Sequence, residues 1–267
     1  MQVLKISLVS IIAVLSFLLT EAQYNVNVKA FHSRSDTIFF NQNRMHIKSN
    51  YNFPVKQLVV PGIMIAYGFT SIENDRLKDF NAELKEEVYA EHPHKKVGID
   101  NYLQFAPAAA VYGLNAFGIK GKHNFRDRSI IFLVSNIITN TAVFSIKKYS
   151  HQLRPDGSSY SSFPSGHTAE AFANAEFMRQ EYKDVSPWYG IAGYVVAATT
   201  GYLRMYNNKH WLSDVVAGAG VGIASTKIAY WLYPKIFHAL FKDKQVNTFV
   251  MPTYQSGTLG ITMLKAF

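Results

Sequence analysis

The stretch from Lys147 to Asp214 decides the reading of this chain. It opens with KKYSHQLRP (147–155), passes through PSGH (164–167) and closes with RMYNNKHWLSD (204–214). As patterns these are K-x6-R-P, P-S-G-H and R-x5-H-x3-D, in that order and separated by apolar helical runs. Two histidines, three cations and one carboxylate are the parts needed to hold a phosphoryl group and pass it through a covalent phosphohistidine. Lys147 and Arg154, seven apart, fall on one face of a helix that Pro155 then stops. His210 and Asp214, four apart, also share a helical face, so the carboxylate can accept one imidazole N–H and leave the other nitrogen free. Ser165 and Gly166 precede the helix-like run HTAEAFANAEFM (167–178), whose N-terminus offers free amides and a positive dipole end to an anion.

These three ordered motifs resemble those of the type 2 phosphatidic acid phosphatase family, which also contains bacterial acid phosphatases and vanadium haloperoxidases. The motifs cover about the middle quarter of the chain, and none of their positions departs from the family pattern. The resemblance implies that His210 is the nucleophile, that Asp214 orients it and that His167 protonates the leaving group. It further implies that Lys147, Arg154 and Arg204 bind phosphate oxygens together with the Ser165 and Gly166 backbone. The chemistry is consistent with those roles. An imidazole is a useful nucleophile once its tautomer is fixed, and three fixed cations can stabilise the transferring group in place of a metal. A metal site built on two histidines and an aspartate is the competing reading, disfavoured because the adjacent cations repel a divalent ion. No metal and no cofactor is therefore expected.

Outward from the motifs the chain is apolar and helical. Five apolar segments run roughly over 99–118, 129–146, 168–182, 187–203 and 213–233, and the second and last approach spanning length. The expected fold is an all-α helical bundle of the phosphatase/haloperoxidase type, embedded in or associated with a membrane, with short β-like segments at both ends. Residues 58–71 are interrupted by Pro61-Gly62 and read as a buried or half-inserted helix, too short to span. Residues 74–96 read as an amphipathic helix through Leu77, Phe80, Leu84 and Val88, either lying on a membrane surface or, the commoner arrangement, capping the bundle. His92 and His94 there read as a solvated turn rather than a metal site. Near the C-terminus, Thr248 to Tyr254 and Thr258 to Phe267 fit two strands around a turn containing Gly257.

The resulting organisation is a signal peptide (1–22), an N-terminal arm (23–57), a catalytic helical domain (58–244) and a tail with a β-hairpin (245–267). Cysteine is absent, so disulfide and thiol chemistry are excluded. With 27 Lys and Arg against 18 Asp and Glu, net charge is +9, which favours anionic partners. The positive charges are scattered and the start looks exported, so anionic lipid head groups fit better than nucleic acid. Basic residues in 119–128 and after Tyr233 place those two segments on the cytoplasmic side if five segments span, with the motifs facing outward. A crossing by 58–71 reverses that parity.

The sequence therefore points to a phosphatase acting on a phosphorylated lipid in a bacterial cell envelope, membrane-bound with its site toward the periplasm. Three alternatives stand beside it: a broad periplasmic acid phosphatase, a vanadate-dependent haloperoxidase, and a non-catalytic lipid-binding membrane protein.

Overall fold

The computed structural model describes residues 53, 55–91, 94–241, 248–255 and 258–265. The expected signal peptide, nearly all of the N-terminal arm, and His92 lie outside the described residues. Two compact units divide the chain, 1–231 and 232–267.

Among the described residues, the regular elements of the first unit are all helices. Helix α1 is Val55–Glu73 and α2 is Asp75–Lys85, the latter ending in a π-helical turn, Glu86–Ala90. A four-residue helix, α3 (Asp100–Leu103), leads into α4 (Ala106–Ala116). Then follow α5 (Phe125–Ser150), α6 (Gly166–Tyr182), α7 (Pro187–Tyr206) and α8 (Leu212–Phe241). Short polar side chains start several of them. Asn74, Asn124, Ser165 and Ser186 each accept a first-turn backbone N–H at the heads of α2, α5, α6 and α7. The second unit holds the end of α8 and an antiparallel hairpin, β1 (Thr248–Gln255) and β2 (Thr258–Lys265), in the register Thr248↔Lys265 to Gln255↔Thr258. The two strands pair with each other.

Helix α6 is the axis of the bundle. Ala169, Ala171, Ala173 and Ala175 are all buried, as are Phe177 and Tyr182. Small side chains let its neighbours close in. A methyl group on Gly222 of α8 would lie 2.1 Å from the Ala169 carbonyl, and one on Gly218 would lie 2.6 Å from that of Ser165. Only glycine permits that approach. The outer surface is apolar instead of charged: Val59, Val60 and Ile63 on α1, Ile137 and Phe144 on α5, and Ile191 and Val195 on α7 are exposed. Among the described residues, three helices, α1, α5 and α8 up to Phe237, are long and apolar enough to cross a membrane.

Three expectations need correction here. Residues 58–71 belong to a continuous 19-residue helix in which Pro61, Gly68 and Ser71 are the buried residues, so it is neither short nor buried. Pro61 removes one early backbone bond without breaking it. Helix α5 stops at Ser150, because His151 adopts a left-handed backbone (φ 43°), so Arg154 sits in the following loop rather than on a helical face with Lys147. Helix α8 begins at Leu212, so His210 lies in the loop before it while Asp214 lies in its first turn.

Candidate active site

Every motif side chain stands at one end of the bundle, where α5 ends, α6 begins, α7 ends and α8 begins. At the opposite end, residues 119–128 are held by the Lys122 N–H to the Glu181 carbonyl and by His123 to the Glu181 carboxylate.

His210 and Asp214 are both buried, with Nδ1 3.4 Å from Oδ2. At that distance the contact is an ion-pair approach more than a formed hydrogen bond. Asp214 Oδ2 is oriented by the Trp211 N–H, 2.9 Å away, and by the Ser162 hydroxyl. Asp214 Oδ1 and His210 Nδ1 have no other partner among the described residues. Burial pushes the His210 imidazole down to about 4, with Lys147 and Arg204 adding to the push and Asp214 opposing it. The ring is therefore neutral at neutral pH, the state a nucleophile requires.

The P-S-G-H segment is fixed from below. Lys147 donates to the Ser161 and Ser162 carbonyls, the latter at 3.2 Å, and the Ser150 hydroxyl donates to the Phe163 carbonyl. The Ser165 hydroxyl caps α6, and the Ser165 N–H donates to the Asp214 carbonyl at 3.0 Å. Of the two backbone amides expected to bind phosphate, that of Ser165 is therefore already engaged. Gly166 and His167 supply the open amides of the helix start, with no acceptor among the described residues.

The guanidinium groups are partly free. Nε of both Arg154 and Arg204 is buried without a hydrogen-bond partner among the described residues. Such donors suit phosphate oxygens. His167 Nε2 lies 2.9 Å from Asn101 Oδ1, and Arg204 Nη1 pairs with the Asp100 carboxylate. Burial lowers the His167 imidazole to about 4; Arg204, Arg154 and Lys147 lower it further, and Asp100 opposes them.

Sequence reasoning missed Asp100 and Asn101. They stand at the head of an otherwise apolar segment, and a polar pair opening such a run was the available sign. It also missed Asn81, whose amide both donates to the Ser213 hydroxyl (3.2 Å) and accepts the Ser213 N–H (3.1 Å), bracing α8 beside Asp214. His94, read as solvated, stacks on Tyr206 at 3.4 Å. Trp211 donates to the Leu153 carbonyl beneath Lys85, a packing role. No group of three His, Cys, Asp or Glu side chains converges as a metal-ligand set among the described residues.

Residues 128–238 match the model of the PAP2 superfamily. Over 162 residues it is 40% identical to the lipid A 1-phosphatase of Porphyromonas gingivalis, an alignment covering 60% of this chain and 36% of that protein. The chain thus spans about a third of that relative's length. Two crystal structures are similar in fold. That of Aquifex aeolicus LpxE has a TM-score of 0.45 and 22% identity, covering 57% of this chain and 94% of the other. That of the transmembrane PAP2-type phosphatidylglycerolphosphate phosphatase from Bacillus subtilis has a TM-score of 0.48 and 20% identity, covering 72% and 98%.

Proposed function

We propose that the protein is a metal-independent phosphatase that releases phosphate from a phosphorylated lipid through a phosphohistidine on His210. The observation that carries this is the buried His210–Asp214 pair beside two guanidinium groups with unpaired Nε–H donors. Arg154, Arg204 and the open amides of Gly166 and His167 hold the phosphate oxygens, and Lys147 adds its charge while tying down the loop. The free nitrogen of neutral His210 attacks phosphorus as the bond to the leaving oxygen breaks. His167 gives that oxygen a proton, and Asp214 holds the Nδ1–H of the phosphorylated ring. Water then attacks phosphorus, His167 takes its proton, the P–N bond breaks and inorganic phosphate leaves. His167 is neutral in the empty site, and the negative charge of a bound phosphate favours its protonation.

A lipid substrate is supported by the apolar outer surface and by three helices of spanning length. The relative named a lipid A 1-phosphatase makes a glycolipid phosphate the first substrate to test. Phosphatidate, phosphatidylglycerol phosphate and undecaprenyl diphosphate follow. Phosphate release from this panel, beside a soluble phosphate ester, tests the reading. Lipid-selective release, blocked by vanadate, unaffected by chelator and lost in His210→Ala, is expected. Wild-type turnover by His210→Ala sinks it.

We further propose that the motif end faces the periplasm. Its support is the basic stretch Lys120, Lys122, Arg126 and Arg128 at the opposite end, offset by Asp127 alone. Helix α1 runs toward the motif end, where Phe69 meets Phe163. If α1 crosses, residue 55 starts on the cytoplasmic side. The chain has no cysteine, so Lys120→Cys and Tyr160→Cys report cleanly. An impermeant thiol reagent should label only Tyr160→Cys in intact spheroplasts; the reverse pattern inverts the topology.

A further inference from the structure

The short helix α3 opens on two polar residues that the mechanism above leaves unused. Its place is fixed on both sides. Before it, Val97 and Asn207 exchange two hydrogen bonds, from Val97 N–H to the Asn207 amide oxygen (2.9 Å) and from the Asn207 amide to the Val97 carbonyl (2.8 Å). After it, the Asn174 amide of α6 donates to the Gln104 carbonyl at 2.8 Å. Between these anchors Asp100 is 1% exposed, and its Oδ2 receives Arg204 Nη1. The neighbouring Asn101 places Oδ1 2.9 Å from His167 Nε2.

A carboxylate inside a site that receives phosphate is costly, because it repels the ligand and competes with it for a guanidinium. Its placement makes sense if it does something for the reaction. Arg204 has one nitrogen on Asp100 and leaves Nε unpaired. The planar fork is thus held at one corner with the rest open to an incoming oxygen. The amide oxygen of Asn101 can only accept, so the His167 nitrogen facing it carries the hydrogen, and the other nitrogen is left for the proton in transit.

We propose that Asp100 and Asn101 are positioning residues of the phosphoryl-transfer site: Asp100 fixes the Arg204 guanidinium, and Asn101 fixes the His167 ring on the side from which the leaving oxygen departs. This rests on the phosphatase reading given above. The charged groups acting on His167 are Arg204 from α7, Arg154 from the α5–α6 loop, Lys147 from α5 and Asp100 from α3. Asp100 is the one among them that favours the protonated ring, and all the others oppose it. Removing its charge therefore moves loss of the His167 proton to lower pH.

The test compares Asp100→Asn, Asn101→Ala and Asn101→Asp with wild type and His210→Ala. For each, kcat and KM are measured across pH on the best substrate, with inhibition by inorganic phosphate and with thermal unfolding. In Asp100→Asn, kcat at neutral pH should fall at least about tenfold, the scale of an impaired general acid. Its alkaline limb should move to lower pH, while phosphate inhibits more tightly because the competing carboxylate is gone. Asn101→Ala should lose kcat with KM little changed. Asn101→Asp should recover much of that loss, with the alkaline limb moved to higher pH. Wild-type kcat, pH limb and phosphate inhibition in both Asp100→Asn and Asn101→Ala overturn the inference. So does a loss of kcat that tracks thermal unfolding, with no shift of either limb and no advantage of Asn101→Asp over Asn101→Ala. If Asp100→Asn does not fold, the two Asn101 variants decide. Activity surviving in His210→Ala instead removes the phosphatase mechanism itself, a distinct failure.

Discussion

Replacing Gly218 with alanine should damage catalysis although Gly218 touches no reacting group. The new methyl would stand 2.6 Å from the Ser165 carbonyl oxygen and 3.4 Å from the Ala169 nitrogen. Ordinary contact requires about 3.4 Å, so α8 and the head of α6 must part by about 0.8 Å. Ser165 cannot yield alone, because its N–H is bound to the Asp214 carbonyl and its hydroxyl caps α6. The strain therefore falls on the joint that sets Asp214 and His210 against the P-S-G-H segment. Overpacking of this kind costs about 1–3 kcal/mol. A displacement approaching 1 Å in a catalytic constellation can cost about a hundredfold in rate. Phosphate release and thermal unfolding of the detergent-purified variant measure both effects. Gly62→Ala, where nothing lies within 4 Å of the added carbon, is the control and should keep full turnover. Wild-type rate and stability in Gly218→Ala would refute the claim that close contact between α6 and α8 aligns the site.

Two further predictions concern buried ionisable groups. His210 and His167 sit near 4 in the folded protein against an ordinary value of 6.5, so between those values the unfolded chain binds more protons. Their contribution to stability is complete above about pH 6.5 and lost as pH falls toward 4. The melting temperature should drop across that window in wild type and drop less in a His167→Gln/His210→Gln double variant; equal slopes contradict the assignment. At the other end, Glu176 holds Arg179 through two bonds of 2.7 Å and Lys227 at 2.9 Å. Glu176→Ala leaves those cations uncompensated and should cost about 3–5 kcal/mol, while kcat per folded molecule stays unchanged. A specific loss of kcat at unchanged melting temperature counts against a purely structural role for Glu176.

Ordered motifs made the centre of this molecule legible from sequence. Fixed spacings name His167, His210 and Asp214 directly, and alternating apolar runs with polar caps mark the helices between them. Local chemistry at the helix ends was less legible. A left-handed His151 ends α5 one turn before Pro155 could, which moves Arg154 into a loop. Pro61 looked like an interruption, yet α1 absorbs it near its start. Asp100, Asn101 and Asn81 carry no motif, because their partners lie 104, 66 and 132 residues away. Such long-range pairs leave no periodic trace in the chain. In the buried polar cluster around Glu176, Arg179 and Gln180 are local partners at helical spacing, while Lys227 and Tyr194 come from other helices and were hidden for the same reason.

The central claim is a covalent phosphohistidine, and trapping it is the direct test. The purified protein is mixed with excess phosphorylated substrate, quenched in alkali, digested and read by mass spectrometry. The account predicts a phosphate on the peptide containing His210, absent in His210→Ala and accumulating in His167→Ala when a substrate with a good leaving group is supplied. Turnover with no phosphate on His210 at any quench time, in wild type and in His167→Ala alike, would contradict it.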